Sequence, residues 1–138
     1  LGIKRNSDAE YTDRFPVSLL CPVSRGALHD LQNGTGNVTS SYGMSYATVW
    51  DTTRVYRLNR LKRPSSSASW TDALDWMLYN SNMPGYLANE ESMAGDGKVA
   101  YRHSQSLNAG MLDGHVTNYS YRYLQLPGNF NRMLKNFY

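Results

Sequence analysis

Two Asp-Gly pairs, Asp96-Gly97 and Asp113-Gly114, divide the last third of the chain into short segments and limit what it can fold into. An Asp-Gly pair supplies the positive φ angles of a two-residue type I′ turn, which joins neighbouring antiparallel strands. The segments around the pairs contain several aromatic and β-branched residues, which favour strands. We therefore predict a β-meander with strands near 98–103, 107–112 and 115–123.

The residues before and after this meander predict shorter elements. Segments 15–20 and 42–50 favour strands, and 54–63 is typical of a solvated helical turn. Segment 70–78 is ambiguous, because its apolar residues repeat with a helical period, while the overlapping segment 67–72 alternates as in a strand, with Ala68 and Trp70 on one face. Helical spacing returns over 130–137. The expected fold class is α+β, with a small, mostly antiparallel sheet and short helices.

The chain has 138 residues, and we assign 1–138 to a single domain with an irregular lead-in over 1–14. A net charge of +3 on this length does not indicate a nucleic-acid partner. No apolar run approaches the ~20 residues of a membrane span. The single cysteine, Cys21, excludes an internal disulfide and a multi-cysteine zinc site.

Residues 102–116 carry a spaced motif, in which His103 is followed by nine residues and then by Asp113-Gly114. The segment resembles the signature of the H-X9-DG family of prepilin-like proteins, whose globular domains resemble type II secretion pseudopilins. Family members usually have glycines just after the histidine, where this chain has Ser104 and Gln105. The matching positions are Arg102, His103, Asn108, Asp113, Gly114, His115 and Val116.

Three shorter elements resemble the same family and occur in the expected order. Cys21-Pro22 with Ser24 resembles its Cys-Pro-Ser element, and 41–46 resembles its Ser-Tyr-Gly-Met-Asn strand. Residues 62–65 followed by Asp72 resemble its Lys-x-Pro-Ser…Asp element, in which a strand precedes the aspartate. The resemblance therefore favours a strand over a helix at 66–71.

The resemblance implies a non-enzymatic, pilin-like head that lacks its N-terminal helix in this chain. Such a protein belongs to the bacterial cell envelope, anchored in the inner membrane by that helix. Its implied partners are other pilin-like subunits or proteins of a type II secretion or type IV pilus-like apparatus. A cysteine in the missing helix would be a candidate disulfide partner for Cys21.

The motif residues also raise the question of a metal site. His103, Asp113 and His115 are of the residue types that bind zinc, and the resemblance makes a structural calcium near the C-terminal sheet an option. A continuous strand would place His103 ~30 Å from Asp113, so we expect no joint site. We expect Arg102 and His103 to anchor a loop through hydrogen bonds to backbone carbonyls. A metal-dependent hydrolase around His103 and His115 is kept as one alternative.

Cys21 lies among apolar residues, which favours a buried, unreactive thiol. The sequence contains no Gly-x-Ser-x-Gly elbow, phosphate loop or paired-histidine metal motif. We therefore predict no catalytic residues and no cofactor.

The other alternative is an extracytoplasmic module that binds carbohydrate or small solutes, because an aromatic ring can stack on the apolar face of a sugar. Its candidate stacking residues are Trp50, Trp70 and Trp76.

Overall fold

A computed structural model describes residues 14–24, 27–28, 31–38, 41–45, 58–78 and 98–134. These residues have the predicted α+β fold, with short strands in two sheets and two short helices. The strands are β1 (Arg14–Pro16), β2 (Thr35–Asn37), β3 (Tyr42–Ser45), β4 (Ala68–Asp72), β5 (Met77–Leu78), β6 (Ser106–Met111) and β7 (Val116–Ser120). The helices are α1 (Tyr121–Gln125) and α2 (Asn129–Leu134), and 3₁₀ turns lie at Val17–Leu19, Leu58–Arg60 and Pro64–Ser66.

The larger sheet has five strands in the order β5-β3-β4-β6-β7, and β1 pairs with β2 in a separate antiparallel sheet. Neighbours in the larger sheet are antiparallel except for β3 and β5, which are parallel. Strand β4 is central, so that Asp72 lies opposite Tyr42 of β3 and Thr71 lies opposite Ala109 of β6. The β6–β7 ladder runs from Ser106 to Gly110 without a break in register.

The core lies between one face of this sheet and the two helices. Leu107 and Ala109 of β6 are fully buried there, together with Leu124 of α1 and Leu134 of α2. Burial of this apolar surface is the main favourable term for folding. On the opposite face, alternate residues of the strands remain in contact with solvent. The large apolar side chains exposed in these strands are Met44, Trp70 and Val116.

The predicted hairpin at Asp113-Gly114 joins β6 to β7, but its loop has three residues rather than two. The Gly114 N–H donates to the Met111 carbonyl at 3.0 Å, and the Met111 N–H donates to the His115 carbonyl at 2.8 Å. Gly114 has a φ of 94°, whereas Asp113 is not among the residues with positive φ. A type I′ turn needs positive φ at both positions, so this loop is of the longer class in which one glycine is left-handed. The other pair, Asp96-Gly97, lies outside the described residues.

A tight hairpin turn lies at Asn33-Gly34, in a segment for which the sequence predicts a loop. The two residues have φ angles of 51° and 74°. The flanking Gln32 and Thr35 exchange two backbone hydrogen bonds of 2.9 Å. Asn-Gly is the most characteristic dipeptide of a type I′ turn, so the signal was present in the sequence.

The resemblance favoured a strand at 66–71, and the structure has β4 there, although it begins only at Ala68 because Pro64–Ser66 form a 3₁₀ turn. The helical period over 70–78 was misleading. Because β4 lies between β3 and β6, its backbone is paired on both sides, and a helix would forgo both ladders. The chain then bends at 74–76 and continues into β5.

Two strands of the predicted meander differ from the structure. The strand predicted over 115–123 ends at Ser120, because the Ser120 hydroxyl accepts a hydrogen bond from the Tyr123 N–H at 3.2 Å and caps α1. Instead of a strand over 98–103, the structure has an isolated bridge between Val99 and Ala73. Tyr101 follows it and is buried edge-on against Tyr121, with ring centroids 5.1 Å apart.

Candidate functional site

A buried carboxyl group lies at the end of β4. Asp72 is 1% exposed, and strand alternation places it on the same face as Trp70, away from the helices. Its Oδ2 accepts a hydrogen bond from the Asn108 N–H at 2.7 Å, while its Oδ1 is buried with no hydrogen-bond partner among the described residues. Burial raises the pKa of the Asp72 carboxyl, although the Asn108 N–H and the His103 ring act in the opposite direction.

Two side chains from distant parts of the chain meet this carboxyl group. His103 Nε2 lies 3.3 Å from Asp72 Oδ2 and 3.7 Å from Cys21 Sγ. The three ligand-type atoms all lie within 4.8 Å of one another. Cys21 is fully buried, whereas 32% of the His103 side chain is exposed. We call this group the Cys-Asp-His cluster.

Arg102 links β3 and β4 beside this cluster through hydrogen bonds to two backbone carbonyls. Its guanidinium donates one hydrogen bond to the Ser41 carbonyl and another to the Ala73 carbonyl, both at 2.8 Å. Ser41 also accepts a hydrogen bond from the Cys21 N–H through its hydroxyl at 3.2 Å. The expected anchoring of Arg102 on backbone carbonyls is therefore seen, and it connects the start of β3 to the end of β4. His103 differs from the expectation, because its ring contacts side chains.

A tight turn directly after His103 sets the position of its ring. His103 and Ser106 exchange two backbone hydrogen bonds of 3.0 Å around Ser104 and Gln105. Those two residues have φ angles of 53° and 61°, which is the conformation of a type I′ turn. The family resemblance has glycine near these positions, and the positive φ angles are the physical reason that glycine suits them.

Replacing Gln105 with glycine is expected to raise the free energy of unfolding by about 0.5–1 kcal/mol, because a left-handed conformation costs a residue with a Cβ about 1–2 kcal/mol. Gln105→Ala is the matched control, since it removes the same side chain and keeps the unfavourable conformation. Urea unfolding followed by circular dichroism measures both. Equal stability of the two variants would contradict the conformational reason.

The cluster contains the residue types of a nucleophilic triad, but its geometry differs from one. In a triad the two ring nitrogens contact different partners, so that the imidazole receives a proton on one side while a carboxylate orients the other side. Here the same nitrogen, His103 Nε2, faces both Cys21 and Asp72. Burial also raises the pKa of the Cys21 thiol, which favours its protonated, less nucleophilic form. The arrangement brings three ligand atoms together without aligning a proton relay.

The remaining motif residues lie in and beside the β6–β7 hairpin. Asp113 Oδ1 lies 2.6 Å from His115 Nδ1, and both residues are on the exposed loop. Asn108 accepts a hydrogen bond from the Asn118 side chain at 3.0 Å, while its own backbone N–H donates to Asp72. Within the described part of the chain, Cys21, Asp72 and His103 form the one group of three metal-ligand types, so His103 is not brought together with Asp113 and His115.

Two of the three aromatic candidates for ligand stacking, Trp70 and Trp76, lie among the described residues. Trp70 is 36% exposed and packs edge-on against Tyr42, with ring centroids 5.7 Å apart. The indole of Trp70 also lies over Gly110, where a Cβ would come within 2.2 Å of the ring. Trp76 is 45% exposed, and Trp50 lies outside the described residues.

Comparison of the chain with protein-family models, with curated proteins and with solved structures found no match. Among the described residues, there is no helix with the length and apolar character needed to cross a bilayer.

Proposed function

We propose that this chain is the globular head of a pilin-like protein of the bacterial cell envelope, related to the H-X9-DG family, and that it acts by assembly rather than by catalysis. The observation that supports this proposal is the meeting of all four matched sequence elements around Asp72. Each element contributes a residue that contacts one of the others. The contributing residues are Cys21, Ser41, Asp72 and the pair Arg102-His103.

The contacts between these elements support a structural role for the motif residues, in which they hold distant segments of the chain together. Cys21 and His103 are 82 positions apart in the sequence, yet their side chains touch. Arg102 donates to Ser41, which is 61 positions away. Chance matches to four short patterns would have no reason to share one set of contacts. In this proposal, the motif residues maintain the contacts between neighbouring strands and loops. The outer surface of the head can then differ from one subunit to another.

In the proposed assembly, an apolar N-terminal helix carries the head and packs with the helices of other subunits or anchors the protein in the inner membrane. The partners are other pilin-like subunits or proteins of a type II secretion or type IV pilus-like apparatus. The head itself presents a sheet with one face covered by α1 and α2.

The coding sequence upstream of Leu1, together with fractionation of the native protein, tests the proposal. We expect a short leader, a peptidase site and an apolar helix, and we expect the native protein in the membrane fraction with the leader removed. Deleting the upstream apolar segment is the control and should release the head from the membrane. An upstream sequence without such a helix would overturn the proposal.

The exposed indoles of Trp70 and Trp76 favour a second candidate function, the binding of carbohydrate or small solutes. Glycan-array binding with a matching change in tryptophan fluorescence would support it. Loss of both signals in Trp70→Ala or Trp76→Ala would place the ligand at the replaced tryptophan. No array signal for the wild-type head would exclude this function for the glycans tested.

A further inference from the structure

The Cys-Asp-His cluster combines one sulfur, one nitrogen and one oxygen donor, and the proposed assembly does not use it. Its members come from the segment between β1 and β2, the end of β4 and the turn before β6. We propose that Cys21, Asp72 and His103 bind a single transition-metal ion of the zinc type. This inference does not depend on the pilin-like function.

Two of the three distances between the donor atoms are close to those around a tetrahedral ion, and the third, from Cys21 Sγ to the Asp72 carboxylate, is within 4.8 Å. With bonds of ~2.0 Å to nitrogen, ~2.1 Å to oxygen and ~2.3 Å to sulfur, the N···O edge of a zinc tetrahedron is ~3.3 Å and the S···N edge is ~3.5 Å. His103 Nε2 lies 3.3 Å from Asp72 Oδ2 and 3.7 Å from Cys21 Sγ. An ion between the three atoms therefore needs only small movements of the side chains.

The buried carboxyl group supplies an independent reason for a bound cation. Asp72 is 1% exposed, and its Oδ1 has no hydrogen-bond partner among the described residues. A buried carboxylate with an unpartnered oxygen is costly, and an ion bound at Oδ2 compensates the negative charge that the two oxygens share. The guanidinium of Arg102 donates to the carbonyls of Ser41 and Ala73, and Asp72 Oδ1 accepts no hydrogen bond from it.

Outer contacts of the kind that orient metal ligands are already in place. The Asn108 N–H holds the Asp72 carboxyl group, and the Ser41 hydroxyl holds the backbone of Cys21. Such outer partners fix the direction of a ligand and commonly change metal affinity by about 10–100-fold when removed. The type I′ turn does the same for His103, because it fixes the backbone that carries the ring.

The donor set selects the class of ion. Thiolate and imidazole suit zinc and its neighbours in the first transition row, whereas calcium takes oxygen ligands. On binding, the thiol of Cys21 releases its proton to solvent and the sulfur forms the bond to the ion. Three protein ligands leave a fourth position, and the partly exposed edge of His103 gives water and the incoming ion access to it.

Titration with Zn²⁺, and with Co²⁺ as its coloured substitute, tests this proposal on the purified 138-residue chain. We expect one ion per chain and, for Co²⁺, an intense thiolate-to-metal absorption. Cys21→Ser should lose that absorption, and His103→Ala should weaken binding by more than about 100-fold. His115→Ala is the matched control, since it removes the other motif histidine, and it should bind as the wild type does.

A second readout separates loss of ligands from loss of the fold. Saturating Zn²⁺ should raise the unfolding temperature of the wild type and of His115→Ala by roughly 5–10 °C, and it should leave Cys21→Ser and His103→Ala unchanged. Far-ultraviolet circular dichroism without metal should be the same for all four proteins. Absence of binding by the wild type, Co²⁺ binding without the thiolate absorption, or loss of binding in His115→Ala would each overturn the proposal.

Discussion

Replacing Gly43 with alanine is expected to lower the free energy of unfolding by about 3 kcal/mol, because the new methyl group has no room. A Cβ at this position would lie 2.2 Å from the Asp75 carbonyl oxygen and 2.8 Å from the Ala73 Cβ. Neither atom belongs to a flexible side chain, so the strands themselves would have to separate. Chemical unfolding monitored by circular dichroism measures the loss.

Gly128→Ala is the control for the Gly43 prediction. Gly128 has no heavy atom within 4 Å of its ideal Cβ, but its φ is +83°, so alanine there brings only the left-handed strain of about 1–2 kcal/mol. If Gly43→Ala were no more destabilising than Gly128→Ala, the close contact of β3 with the segment after β4 would be wrong. That contact matters for the site, because it brings the Ser41 and Ala73 carbonyls within reach of Arg102.

Replacing Arg102 with methionine is expected to cost about 2–4 kcal/mol of stability. Methionine keeps much of the apolar stem but leaves the carbonyls of Ser41 and Ala73 without their charged donor, and each such hydrogen bond contributes about 1.5–3 kcal/mol before allowance for partial exposure. It also removes the positive charge that favours ionisation of Asp72. Denaturant unfolding of the two proteins at neutral pH gives the difference.

Two further variants make the Arg102 result specific. Arg122→Met removes an exposed arginine from α1 and should change stability by less than about 0.5 kcal/mol. Arg102→Lys should recover only part of the loss, because one ammonium group does not span two carbonyls as a guanidinium fork does. Equal stabilities for Arg102→Met and Arg122→Met would show that the guanidinium does not hold the strands together.

Much of what could be predicted of the fold came from dipeptides that favour tight turns. The Asp113-Gly114 hairpin was predicted because its dipeptide favours a reversal whatever surrounds it. The turn at Ser104-Gln105 could not be predicted, because neither residue favours positive φ. Backbone hydrogen bonds from His103 and Ser106, and contacts made by the rest of the fold, impose that conformation.

Periodicity failed where tertiary pairing decided the structure. The apolar residues over 70–78 repeat with a helical period, yet Trp70 belongs to β4, and Met77 and Leu78 belong to β5. A central strand is stabilised by two neighbours that lie far away in the sequence, and no local pattern contains that information. The family resemblance did contain it and correctly favoured a strand at 66–71.

The candidate site was predicted only in part. Cys21 was expected to be buried, and it is 1% exposed. Its contacts with Asp72 and His103 were not predicted, because the sequence motif suggested only Asp113 and His115 as companions of His103. The useful signal was the aspartate that ends a buried strand, since Asp72 needs a partner there.

A crystal structure of the chain grown with Zn²⁺, with anomalous diffraction at the zinc edge, tests the central claim most directly. The account predicts one strong anomalous peak bonded to Cys21 Sγ, His103 Nε2 and the Asp72 carboxylate, with Arg102 on the carbonyls of Ser41 and Ala73. If the three ligands were together without a peak, the metal proposal alone would fail. Side chains of Cys21, Asp72 and His103 lying apart in the electron density would contradict the whole account of the site.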